Sequence, residues 1–429
     1  MKRKLTPLER SWILYDIGNS AFTMLISTLF PIYFNALATS SGLNESDYLA
    51  YWGYAGSIAT VLVAFIGPVC GTMADYRGFK KPIFIVSLAV GAICCGLLGI
   101  PMSWLLFLVI FIIAKVGYSS SLVFYDAMLP EVTTEENMDN VSTKGYAYGY
   151  IGSVIPFGAG LAIVLGYEAI GISQGTAMAL AFLLTAIWWL ACSLPLLRKY
   201  RQTACVEPDA HPVSQTVRQL GRTFQEARHN KHIFIYLLAF FFFIDGVYTI
   251  IDMATAYGAA LGLDSNGLLL ALLVTQLVAF PCAILFGRLS YKYDTGILIK
   301  VCILAYLGIT VFAIFLVAQW QFWALAVFVG MFQGGIQALS RSYLGKIIPA
   351  ERSGEFFGLM DICGKGASFL GMMMVSIVSQ LTSGITFHIF GVELQNENIA
   401  VGTLLLNFIL GYVIFHKADK LNHQRVAAK

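Results

Sequence analysis

Apolar residues run along this chain in stretches of about twenty, and polar or charged residues gather between them. Twelve such stretches can be marked, at 11–37, 49–74, 82–101, 103–126, 145–167, 175–197, 232–258, 266–288, 298–318, 321–341, 355–380 and 398–416. A helix rises about 1.5 Å per residue, so roughly 20 apolar residues cross the hydrocarbon core of a bilayer. The pattern predicts twelve membrane-spanning helices, numbered span 1 to span 12 in chain order. The first, WILYDIGNSAFTMLISTLFPIYF, carries Asp16 and Asn19 inside it. These two share one helix face, and Gly18 beside them leaves room for a close neighbour. A carboxylate at the bilayer centre costs about 2.5–3.5 kcal/mol on insertion scales, so that face should meet a cavity or a polar partner. Asp16 is then either a tie between two helices or part of a binding site.

Composition and charge sharpen this picture. Hydrophobic residues make up 58% and charged residues 12%, with a mean hydropathy of +0.74. Soluble domains carry about 25% charged residues, so the chain is a polytopic membrane protein. Of the 27 lysines and arginines, all but Lys115 and Lys365 fall in the termini or in loops on a single side. Acids such as Glu45, Glu168, Asp264 and Glu397 occupy the other side. By the positive-inside rule both termini are cytoplasmic, in a cell (plasma or inner) membrane. The net charge of +3 gives no reason to expect nucleic acid. Seven of eight cysteines lie in apolar segments, and no Cys/His spacing suits a metal. The basic start MKRKLTPLER leads into a segment too polar in its middle for a signal peptide, so span 1 is read as retained.

The basic stretch 198–231 divides the chain into six-span halves, 1–197 and 232–429. Within it Val213, Val217, Leu220, Phe224 and Ala227 recur at helical spacing opposite Arg218, Arg222 and Arg228, which predicts an amphipathic linker helix on the inner membrane surface. The halves repeat each other. Tyr15-Asp16-Ile17-Gly18 in span 1 answers to Ile244-Asp245-Gly246 in span 7, and each half has a Pro-ended loop leading into a Gly-rich helix, 145–160 and 354–371. Repeated halves with polar spans are how many secondary transporters are built, with substrate near the midplane.

After span 2 comes Gly71-Thr-Met-Ala-Asp75-Tyr-Arg77-Gly78-Phe-Lys80-Lys81. Asp75, just past a span, can cap a helix or pair with a basic side chain. The matching place in the second half, from Gly287 to Gly296, keeps the glycine and a basic residue but lacks the acid at that offset. Residues 71–81 resemble the hallmark G-x-x-x-D-x-x-G-x-K/R-K of the major facilitator superfamily. The chain as a whole, through YDIGNSAF, Phe124-Tyr125-Asp126-Ala-Met-Leu-Pro130, Gly145-Tyr-Ala-Tyr-Gly-Tyr-Ile-Gly152 and Gly334-Gly-Ile-Gln-Ala-Leu-Ser-Arg341-Ser, resembles the branch of autophagy-related vacuolar amino-acid effluxers and their bacterial members. That resemblance implies an all-α membrane protein of twelve transmembrane helices in two pseudo-symmetric six-helix halves. It also implies that Gly71, Asp75, Arg77, Gly78, Lys80 and Arg341 work an inner gate. In that fold spans 3, 6, 9 and 12 are outer supports, and the interiors of those spans carry no charge here.

The ionisable residues within spans are Asp16, Lys115, Asp245, Asp252 and Lys365, with Asp126, Arg341 and Asp361 nearer the inner ends. Asp16, Asn19, Lys115, Tyr118, Asp245, Tyr248 and Lys365 are the candidate substrate-binding residues, and Asp16 and Asp245 the candidate proton carriers. Two acids and two bases suit a small zwitterion, and equally suit an anion held by lysines. Plainer accounts exist beside these. Lys365 follows Asp361 by four residues and can be neutralised within its own helix, Lys115 can bridge to an acid, and Asp252 suits a wet outer vestibule. Trp188-Trp189 reads as a peripheral or interfacial anchor, and Met372-Met-Met374 as packing. No phosphate-binding glycine loop and no Ser/His/Asp set is present, so neither ATP-driven work nor an enzyme is expected. The sequence therefore predicts a monomeric, cofactor-free secondary transporter for a small polar metabolite, amino acids foremost, proton-coupled and exporting. Drug export, sugar or organic-anion symport, and a non-transporting receptor or scaffold are the alternatives.

Overall fold

Hydropathy alone places the helices, and packing of polar residues decides where they end. In a computed structural model describing residues 4–43, 45–207, 230–382, 385, 387–389 and 392–427, twelve helices are long and apolar enough to cross a membrane. They are span 1 (Pro7–Ser40), span 2 (Tyr51–Ala74), span 3 (Lys80–Leu97), span 4 (Trp104–Ala127), span 5 (Glu135–Leu165), span 6 (Gln174–Lys199), span 7 (Lys231–Ala254), span 8 (Leu270–Leu289), span 9 (Thr295–Ile314), span 10 (Gln319–Ile347), span 11 (Ala350–Leu381) and span 12 (Asn396–Arg425). A short hairpin, β1 (Phe387–Ile389) and β2 (Val392–Leu394), joins the last two. The amphipathic segment predicted at 213–227 lies outside the described residues.

Span 1 is not the single unbroken helix that its hydropathy predicts. It divides at Thr28 into Pro7–Ser27 and Leu29–Ser40. Pro31 has no N–H to give, and its ring crowds the carbonyl four residues back, at Ser27. The Thr28 hydroxyl turns back to the Met24 carbonyl at 2.5 Å. At the other end the helix is fixed by a reciprocal cap, in which the Thr6 hydroxyl accepts the Glu9 N–H and the Glu9 carboxylate accepts the Thr6 N–H.

Spans 5 and 10 run further than their apolar stretches. The helical turns from Met138 to Lys144 read as loop by hydropathy, yet Asp139, Ser142 and Thr143 are buried. Trp189 also departs from expectation. Instead of anchoring at an interface it is fully buried, its ring against Phe22 and over Gly91, where a β-carbon would collide with it.

The chain folds as two compact units. Unit 1 contains residues 1–134, 148–217 and 349–358, and unit 2 contains 135–147, 218–348 and 359–429. Spans 5 and 11, which occupy matching places in the two halves, therefore each begin in one unit and end in the other. In unit 1, spans 3 and 4 touch backbone to backbone where Gly117 faces Gly91. Gly117→Val should overpack this crossing and cost about 1–3 kcal/mol, read as a lowered melting temperature of the purified protein.

Candidate functional site

At the end of span 2 in unit 1, the chain must turn tightly into span 3. Gly78 supplies the positive φ (82°) that the turn needs. The turn holds Asp75 at 3% exposure and Lys80 at 0%. Asp75 accepts the N–H groups of Gly354 and Glu355, at 2.7 and 2.9 Å, in the first turn of span 11. Those groups have no partner inside their own helix, and the positive end of the helix dipole favours an acid there. The approach is possible because Gly71 and Gly354 meet reciprocally, and a β-carbon on either would strike the other's carbonyl.

Lys80 is the pivot of the cluster. Its ammonium lies 2.7 Å from Glu131, 3.7 Å from Asp75, and donates to the Ser353 hydroxyl at 2.8 Å. Glu131, whose side chain is 1% exposed, is held from all sides. One oxygen accepts from Lys80 and, at 2.8 Å, from the Tyr200 hydroxyl. The other accepts the Thr203 and Ala204 N–H groups at 2.6 and 3.1 Å and the Thr203 hydroxyl. The strap 200–207 thus closes over the turn. Gln202 reaches in beside it, accepting the Gly78 N–H and donating to the Ala74 and Tyr76 carbonyls. Val206 pairs with the backbone of residues 75–77. Sequence reasoning missed Glu131, Tyr200 and Thr203. By contrast Arg77 is exposed and pairs with an equally exposed Glu207, a contact worth little in water.

Unit 2 builds a counterpart from different residues. Gly287 approaches Thr143 and Asn140 as Gly71 approaches Gly354. The acid is Asp139 on span 5, which accepts from Lys346 and Thr295 at 2.7 Å each and from Ser342 at 2.5 Å. Arg341 is buried, donates to the Ser142 hydroxyl and carbonyl at 2.9 and 3.0 Å, and stacks over Tyr146 at 4.5 Å. Asp294, Asp419 and His423 also gather in this unit, but Lys300 already pairs with Asp419 at 2.6 Å.

The residues within the spans fall into two matching arrangements. On span 1, Asp16 is buried and accepts from Asn19 at 3.3 Å, and Ser20 one turn on packs against Gly149 of span 5. On span 7, Asp245 is buried, and Thr249 one turn on packs against Gly371 of span 11. Asp245 accepts the Gly371 N–H at 2.8 Å and the Asn407 amide at 2.5 Å. Lys115 is half-buried with its ammonium beside Gly56 of span 2. The Tyr118 hydroxyl shares a 2.7 Å hydrogen bond with Thr23. Lys365 pairs with Asp361 at 2.5 Å within its own helix, and Tyr248 lies beside Gly364. Asp252 is exposed.

Two six-helix repeats with a buried cluster of glycines and acids at the end of span 2 define a transporter of the major facilitator class. Consistent with that, the fold matches the structure of a major facilitator superfamily transporter, FucP, in the outward conformation, with a TM-score of 0.69 at 15% identity over 96% of this chain and 97% of that one. The chain belongs to the family described as vacuole effluxer Atg22 like, whose model matches residues 7–392. It is 39% identical to the uncharacterised MFS-type transporter YxiO of Bacillus subtilis (strain 168), over 96% of this chain and 95% of that protein. It is 26% identical to autophagy-related protein 22-1 of Aspergillus niger over 56% of this chain and 42% of that longer protein. These relatives are transporters, not enzymes.

Two outcomes follow from the cluster around Lys80. Glu131→Gln removes one partner of a buried pair and should cost about 3–5 kcal/mol in a thermal or denaturant melt, whereas Arg77→Ala should leave the melt unchanged. The second concerns pH. Burial pushes the Asp75 carboxyl from its ordinary 3.8 up to about 7, against the opposing pull of Lys80 and the Glu355 and Gly354 amides, with Glu131 adding a smaller push upward. Between those values the folded protein holds a proton that the unfolded chain has released. This group's contribution to stability therefore falls as pH rises from 3.8 to about 7 and is level above that. The melting temperature of the wild type should fall relative to Asp75→Asn across that window.

Proposed function

We propose that this protein is a proton-coupled secondary transporter that exports a small zwitterion of the amino-acid class across the cell membrane, with both termini in the cytosol. The observation that carries this reading is the matched pair of buried carboxylates, Asp16 on span 1 and Asp245 on span 7, in equivalent places of a repeated sequence. A carboxyl inside a membrane span is there at a cost and is a functional group by default. Each has polar partners that hold it in one orientation, Asn19 for Asp16, and Asn407 with the Gly371 amide for Asp245. Each is proposed to exchange a proton.

In unit 1, Asp16 and Asn19 are proposed to meet the substrate amine, and Lys115 with Tyr118 its carboxylate. In unit 2, Asp245 is proposed to carry the proton, with Tyr248 and Lys365 as further polar groups. Lys365 already pairs with Asp361 within its own helix. The family's description as vacuole effluxers supports export, and the one-sided placement of lysine and arginine supports the orientation. The latch at Asp75 and the second cluster at Asp139 are proposed as gate elements, with 1–197 and 232–429 as the moving halves and 198–231 as their linker.

The test is gradient-driven accumulation of labelled amino acids in proteoliposomes. Asp16→Asn and Asp245→Asn should each abolish accumulation driven by a pH gradient while the protein still folds. Lys115→Ala should raise the half-saturating concentration by about tenfold or more, the loss of a charge-assisted hydrogen bond. Intact coupling to the pH gradient in both aspartate variants would sink the proposal.

A further inference from the structure

The helices of unit 2 leave a cavity of about 450 Å³ at the end of the bundle remote from Arg341 and Lys346. Spans 7, 11 and 12 form most of its wall. Its apolar part is made by Ile250, Leu325, Val401 and Leu404, and its polar part includes Ser379, Gln380, Asn396 and Glu397. Thr249, one turn beyond Asp245, also lines it. A volume of this size, mostly apolar with a few polar groups drawn together, is the usual character of a small-molecule site.

Charge narrows the occupant. Among the described residues no lysine, arginine or histidine lines the cavity, and Glu397 is the one carboxylate. Among the described residues the Glu397 carboxylate accepts from the Asn396 amide at 3.1 Å and has no basic partner. A position in the first turn of a helix is enough to tolerate an acid there. It does not account for the apolar chamber beside the acid. The neighbours are already engaged. Asn396 donates to the Ser379 carbonyl and hydroxyl at 3.1 Å each, and Asn398 to the Tyr257 hydroxyl and the Leu316 carbonyl at 2.9 Å each. The rim is therefore set before any ligand arrives, and Glu397 keeps acceptor capacity toward the cavity.

We propose that this cavity binds a small organic amine, its ammonium on Glu397 and its hydrocarbon body against Ile250, Leu325, Val401 and Leu404. A zwitterion fits poorly, because its carboxylate would find no cation in the lining. The site is thus distinct from the residues assigned to an amino-acid substrate, and its occupancy does not depend on transport.

The experiment titrates the full-length protein in detergent micelles with phenethylamine, 2-phenylethanol and phenylalanine by calorimetry, with empty micelles as the blank. Phenethylamine should bind at least about tenfold more tightly than the alcohol or the amino acid, the margin of a charge-assisted hydrogen bond. Glu397→Gln should remove that margin and leave the alcohol's affinity unchanged. Val401→Trp should block all three. Equal binding of amine and alcohol by the wild type would overturn the proposal and leave an apolar crevice that takes any amphiphile. So would full amine affinity in Glu397→Gln, or no binding of the amine above the micelle blank. If the glutamine variant fails to fold, the wild-type comparison of amine with alcohol decides alone.

Discussion

Three charges, two acids and one base, share one dry place at the end of span 2. Taking an ion out of water costs several kcal/mol even after relaxation, so Asp75, Lys80 and Glu131 can be buried together only if nearly every lone pair and proton is met. The fold is arranged to meet them. The glycine pair brings the start of span 11 close enough for its amides to reach Asp75, and Ser353 takes a proton of Lys80. The strap 200–207 is drawn over Glu131, which accepts from three of its groups besides Tyr200 and Lys80. Remove Lys80 and two buried acids lose their shared cation; remove either acid and the donors aimed at it lose their acceptor. The turn, the strap and the first turn of span 11 are therefore one cooperative object. Solvation joins them as much as contact does.

A related arrangement appears deeper in the bundles. Asp16 and Asp245 each accept from amide donors, and each has a hydroxyl-bearing residue one turn on that meets a glycine of span 5 or span 11. Neutral donors can hold either a charged or a protonated carboxyl, since a carboxylic acid keeps acceptor capacity. A fixed ammonium would commit the group to the charged form. Asp361, by contrast with Asp245, has the Lys365 ammonium 2.5 Å away.

Much of this was legible in the chain. Twelve spans follow from hydropathy, and the repeat follows from Tyr15-Asp16-Ile17-Gly18 against Ile244-Asp245-Gly246. Asp75, Lys80 and the two glycines between and before them stand out by spacing. Their partners do not. The groups that meet Asp75 are backbone N–H groups of Gly354 and Glu355, which carry no side-chain signature. Glu131 lies in the short helical turn Leu129–Val132, near Glu135 and Glu136, both exposed, and its local sequence does not distinguish it from them. The break at Thr28 was announced by Pro31, whose effect falls on the preceding turn. The buried turn at Met138–Lys144 hid for the opposite reason. Hydropathy scores a side chain against water or lipid, and Asp139, Ser142 and Thr143 are solvated by protein.

The contact of Gly71 with Gly354 has an evolutionary consequence. Most packing contacts can drift, because a larger side chain on one surface can be answered by a smaller one opposite. Here each glycine faces the other's carbonyl, and a carbonyl cannot be made smaller. No second substitution can restore the fit. The pair should behave as a fixed point around which neighbouring sequence diverges, and it offers a register mark for aligning distant members by hand.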